Sequence, residues 1–286
     1  MSTDVATPPR LHAPPSSLGA WAAWMRNAPI PVQARTAAEV AELAANEDAV
    51  DAHLLAEAVG NDPLMTLKVL SHVGMTSRRA TDVETVTGAL VLMGVGPFFR
   101  QFAELNTIEA TLADEPEALA GALAVLGRSH RAARFALGFA AHRLDPDAAV
   151  IHGAALLHDF AELLLWCHAP GLALEIARRQ RADSTLRSAT VQREVLGVTL
   201  GELQQLLMKS WRLPELLIQL DGDKHVDRTQ VKYVLLAVRV ARHTAAGWDN
   251  AALPDDVADI AALLQLGAGP TLRLLHDIDE SDGCNE

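Results

Sequence analysis

The stretch 156–159, Leu156-Leu157-His158-Asp159, lies within an apolar run from Ala148 to Cys167. A run so rich in alanine and leucine, and so poor in β-branched and aromatic strings, reads as one helix from Ala148 to Cys167. The two polar members of 156–159, His158 and Asp159, are metal-ligand types. One His-Asp dyad cannot by itself fix a divalent ion and activate its bound water, because that chemistry needs several His and Asp side chains converging from different helices. The rest of the chain therefore decides between an enzyme and a signalling module.

The same composition extends outward from this run. Of the 286 residues, 50% are hydrophobic and only 4% aromatic, with few glycine-rich hairpin signals. An all-α fold follows, long enough for one large or two small cores. The net charge of -12 and pI near 5.3 argue against nonspecific binding to nucleic acid or to an anionic membrane, since a like-charged field repels phosphate. Cys167 and Cys284 are too few for a disulfide framework or a cysteine metal site, which suits a reducing cytoplasm. The apolar runs are short and interrupted, so neither a signal peptide nor a membrane span is expected.

Punctuation divides the chain. Residues 1–17 carry Pro8-Pro9 and Pro14-Pro15 among small polar residues and read as a flexible tail. Residues 18–113 hold short helices, including one expected from Phe98 to Leu112, and Asp114-Glu115-Pro116 breaks the pattern. Residues 114–250 form a second lobe of longer helices. Residues 251–286 add a closing helix from Leu253 to Leu266 and an acidic end that frays from Asp277. Within the first lobe, Asp62 is placed to cap a helix that Pro63 opens, and Gly94 follows Thr87 to Met93 as a C-cap.

Taken with the dyad and with Trp211-Arg212-Leu213-Pro214, the order and spacing of Asn61-Asp62-Pro63 and of 87–95 resemble the bacterial HDOD family, over about Leu18 to His225. That resemblance implies a two-lobed helical domain related to HD phosphohydrolases and acting as a regulatory or scaffolding module. It also aligns Ser129-His130 with the Ser or His that opens the helix before the dyad. Glu194 and Gly197 match, but Leu200 stands where a His is expected, Lys224-His225 replaces a His pair, and Arg242 falls about where an active enzyme offers aspartate. Leucine donates no lone pair, and a basic side chain raises the cost of holding a second cation. The pocket candidates that remain are His130, His158, Asp159 and His225, with no metal and no cofactor expected.

Other features have structural readings. Arg128, Arg131 and Arg134 share a helical face that would receive an anion or an acidic partner, although a solvated face is the simpler expectation. Trp211 reads as a core anchor and Pro214 as the start of the next helix, while Trp21 and Trp24 staple the first helix onto its own lobe. The function expected is non-catalytic regulation in signal transduction, through an unidentified signalling protein and a nucleotide-like small ligand. The alternative is a metal-dependent HD-type phosphohydrolase acting on a nucleotide or cyclic dinucleotide.

Overall fold

The computed structural model describes residues 10–77, 83–183, 185–220 and 228–280. Every regular element among them is a helix, and strand pairing is limited to one parallel bridge between Val32 and Thr107. The first lobe contains α1 (Leu18–Asn27), α2 (Ala34–Ala44), α3 (Ala52–Val59), α4 (Pro63–Thr76), α5 (Val86–Met93), α6 (Val95–Gln101) and α7 (Ile108–Thr111). The second contains α8 (Pro116–His142), α9 (Ala148–Leu156), α10 (Phe160–His168), α11 (Pro170–Ala182), α12 (Ser188–Leu196), α13 (Leu200–Trp211), α14 (Glu215–Gln219), α15 (Thr229–His243), α16 (Leu253–Leu264) and α17 (Ala268–Glu280). The long α8 is the spine, with α9, α10, α15 and α17 packed along it.

Local chemistry sets the helix starts that matter. Asp62 accepts hydrogen bonds from the amides of Leu64 (2.9 Å) and Met65 (3.1 Å), and Pro63 occupies the first turn where its missing N–H costs nothing. The same carboxylate also accepts from the Gln33 amide at 2.7 Å, tying the entry of α2 to that of α4. At α13 a full capping box joins Thr199 and Glu202.

Several expectations are corrected by the structure. The run Ala148 to Cys167 is two helices, because the chain tightens at Leu157 and His158, whose amides bond to Gly153 and Ala155, and Asp159 leaves helical geometry. The segment Ala148–His168 is long and apolar enough to cross a membrane by length and composition, but this break interrupts it and both halves pack against α8. Phe98 to Leu112 is likewise two helices, α6 and α7, separated after Phe102 leaves the helical region.

Residues 10–17 are not a free tail. The Leu11 amide bonds to the carbonyl of His168 at 2.8 Å, and Arg10 pairs with Asp114 and Glu115 at the break between the lobes. An apolar residue and a cation with two carboxylates in reach offset the ordering entropy that short polar tails cannot. Residues 1–9 lie outside the described residues. At the other end, residues 277–280 continue α17 instead of fraying, held by Asp279 on Arg131. Finally, α1 is stapled to the second lobe: the Trp21 indole donates to the Leu196 carbonyl at 3.1 Å, and Trp24 meets the His168 ring edge-on. Trp21 is fully buried, and its indole N–H finds its acceptor across the lobe boundary.

Where α4 crosses α13 the backbones touch. A Cβ on Gly74 would fall 1.9 Å from the Trp211 carbonyl oxygen, a backbone atom that no rotamer change can move. Gly74→Ala is therefore expected to cost roughly 1–3 kcal/mol through overpacking, read as a lower urea midpoint with an unchanged slope. A variant as stable as the parent would show that these helices are free to separate.

Candidate functional site

The break between α9 and α10 puts the dyad in the middle of the second lobe, where α8, α13 and α15 also meet. Asp159 is 7% exposed, and its carboxylate is contacted by side chains from three directions. His158 Nδ1 lies 2.8 Å and Arg242 Nη2 2.6 Å from Oδ1, while Arg128 Nε donates to Oδ2 at 3.1 Å. The second arm of Arg128 reaches Glu162 Oε2 at 2.7 Å, and Gln204 donates to the His158 carbonyl at 2.7 Å, fixing the turn. A small groove of about 160 Å³ remains above this network, bordered by His158, Asp159, Glu162, Leu200, Gln204 and Arg242.

The electrostatics follow from these contacts. Burial would raise the Asp159 carboxyl, but the His158 hydrogen bond and the charges of His158, Arg242 and Arg128 outweigh it and hold the group well below the usual carboxylate range. Burial pushes the Glu162 carboxyl up, with the nearby Asp159 charge adding to it and Arg128 only partly opposing.

The residues do not fit the divalent ion that HD-type chemistry uses. Both oxygens of Asp159 already face guanidinium nitrogens, Leu200 borders the groove without a lone pair, and a second cation would meet two arginines at contact distance. Among the described residues, no group of three or more His, Cys, Asp and Glu side chains is placed to share an ion.

The other candidates are dispersed. His130 turns to the first lobe, its Nε2 2.6 Å from the Asn61 carbonyl oxygen, and burial lowers its pKa. Arg128 meets the dyad instead, since residues two apart on a helix point to different sides. The neighbouring Ser129 is buried in α8. Near His130 a separate cavity of about 230 Å³ opens between the lobes, lined by Asn61, Thr66, Thr85, His152 and Leu217 among others. Lys224 and His225 lie outside the described residues. Trp211 ends α13 buried against Phe160, the first residue of α10, and Pro214 stands one position before α14 rather than opening it.

The arginine face is not solvated. Arg128, Arg131 and Arg134 have side chains 19–24% exposed, and each is committed to an internal carboxylate. Arg131 holds Asp279 in a two-pronged contact, 2.8 Å at each oxygen, and bonds Thr244 at 2.9 Å. Arg131→Ala strands a partly buried carboxylate and should cost ~1–3 kcal/mol, where a solvated arginine would cost close to nothing. Thermal melts of the two proteins, compared at one pH, decide between these values.

Sequence reading passed over Glu162, Gln192 and Gln204. Glu162 had a local signal, lying one helical turn beyond the dyad. The glutamines had none, because they reach the site from α12 and α13 through tertiary packing.

An all-α, two-lobed domain with a His-Asp break between two helices packed on its spine, and arginines where an ion would sit, defines a helical domain of the HD-related class. The HDOD domain model matches residues 30–225, and the chain belongs to the HDOD family. Among solved structures, the MmoQ response regulator from Methylococcus capsulatus str. Bath is 26% identical with a TM-score of 0.65, the match covering 86% of this chain and 98% of that one. A virulence factor from Campylobacter jejuni subsp. jejuni, 18% identical over 92% of this chain and 94% of that one, shares the fold with a TM-score of 0.66. Comparison with curated protein sequences gives no match.

Proposed function

We propose that the chain is a cytoplasmic regulatory module of a signalling system, acting by binding rather than by catalysis. One observation carries this reading: Arg128 and Arg242 neutralise Asp159 where a hydrolase would hold its ion. A carboxylate whose two oxygens each already hold a guanidinium is a poor ligand for the divalent ion that would have to activate a water. The similarity to the MmoQ response regulator supports a signalling context. The partner is a separate signalling protein that reads the helical surface, with the groove beside Asp159 as the place where a small ligand biases that surface.

The test is metal analysis of the purified full chain, together with hydrolysis assays on nucleotides and cyclic dinucleotides in manganese and in magnesium. Substoichiometric metal and no turnover are expected. A full equivalent of bound transition metal, or turnover that His158→Ala abolishes, overturns the proposal.

A further inference from the structure

The groove at Asp159 does not end at Arg242. It continues into a larger cavity of about 300 Å³ between α10, α11, α12 and the end of α15, and Glu162, Gln192, Leu200 and Arg242 border both spaces. The lining of the larger space is divided. Leu165, Trp166, Ile176 and Leu200 supply an apolar wall, while Gln192 and Arg242 supply donors.

Those donors are in part uncommitted. Arg242 spends Nη2 on Asp159, its side chain is 48% exposed, and Nε and Nη1 meet no acceptor among the described residues. The Gln192 carbonyl oxygen accepts from the Leu200 amide at 3.0 Å, which orients the carboxamide and leaves its NH2 group without an acceptor among the described residues. Accessibility at this end also favours an anion head. Asp159 is shared among three donors and Glu162 is paired with Arg128, so the half-exposed Arg242 guanidinium, with one arm on Asp159, is the more accessible of the two cations lining the cavity.

We propose that this cavity binds a small organic anion, with a phosphate or carboxylate head on Arg242 and Gln192 and a flat apolar body against Trp166 and Leu165. The proposal rests on the non-catalytic reading of the site, since the ligand is held and not turned over. A guanidinium presents a planar fork that matches either head, and the charge-assisted bonds are stronger than neutral ones. Leu165, Trp166 and Ile176 are nearly buried, so the apolar wall adds only a small area term, carried mainly by the part-exposed Leu200, which still favours an organic anion over a bare inorganic one. The cavity is large enough for one ring and its head group and too small for a polymer.

Calorimetric titration of the full chain with phenyl phosphate, benzoate and inorganic phosphate tests this, with phenol release followed in the same samples. Saturable binding of phenyl phosphate or benzoate is expected, tighter than that of inorganic phosphate. Arg242→Gln should weaken it by about tenfold or more. Because Arg242 also holds Asp159, a second variant is needed. Ala245 is exposed and lines the cavity but not the groove at Asp159, and its side chain takes no part in the ion pairs, so Ala245→Trp should block binding and leave the melting temperature of the free protein unchanged. Absence of saturable binding to either organic anion, equal affinity for inorganic phosphate, or unchanged affinity in Ala245→Trp would overturn the proposal. Phenol release would instead refute the non-catalytic reading while leaving the anion site in place.

Discussion

Replacing Trp211 with alanine is expected to cost ~3–5 kcal/mol, the range for deleting a large aromatic side chain from a core that cannot collapse around the loss. The indole is 1% exposed and leans on the Phe160 ring at a centroid distance of 5.9 Å, directly after Asp159 in the chain. Collapse is blocked because the Trp211 carbonyl is already in contact with the α4 backbone at Gly74, which leaves no slack for the helices to close on a void. A loss of that size is comparable with much of the stability of an ordinary domain, so soluble expression should fall with it. Urea unfolding followed by circular dichroism measures the cost. Leu144→Ala, at a residue 89% exposed, serves as the control and should stay within about 0.5 kcal/mol of the parent. A Trp211→Ala cost below ~1 kcal/mol would mean that α13 does not anchor the dyad turn.

The residues that were legible in the sequence are those whose role is settled within a few positions. Asp62 and Pro63 announce a helix start because a cap acts on amides two and three residues away. The all-α class follows from composition, and Leu200 and Arg242 are visible as departures because a residue type alone decides whether a lone pair is offered. Partner choice is different in kind. Arg128 and Asp159 are 31 positions apart, Arg242 and Asp159 are 83 apart, and Arg131 and Asp279 are 148 apart. No periodicity connects such pairs. The same holds for residues 10–17, whose proline-rich composition signals a tail until Arg10 finds Asp114 and Glu115. The break at Leu157 to Asp159 was hidden for another reason: both flanks are good helix formers, and the chain leaves the helix there to aim Asp159 at Arg128 and Arg242.

Asp159→Asn keeps the shape of the side chain and removes the charge that holds Arg128 and Arg242, and it should cost about 3 kcal/mol at neutral pH. The estimate sits at the low end for a broken buried pair because Arg242 is half exposed and can turn to water, while Arg128 retains Glu162. The pH dependence carries the more specific signature. A carboxyl whose folded pKa lies below its unfolded value contributes stability that is complete above the unfolded value and is lost as pH falls through the folded one. For Asp159 the unfolded value is about 3.8 and the folded value is lower, so the stability gap between parent and variant should hold from neutral pH down to roughly pH 4 and shrink below it. Glu162 acts in the opposite sense: its raised pKa favours the fold at low pH, and that contribution fades as pH rises through the folded value. Removing the Asp159 charge also relieves part of the upward push on Glu162, so the difference between the two unfolding curves reports the Asp159 and Glu162 carboxyls together, with the Asp159 part being the one lost in acid. A variant as stable as the parent at neutral pH would show that the guanidinium pair does not depend on this carboxylate. A gap that stays constant into strong acid would show that Asp159 is not the ionised centre of the network, and the case for an internal cation in place of a metal would go with it.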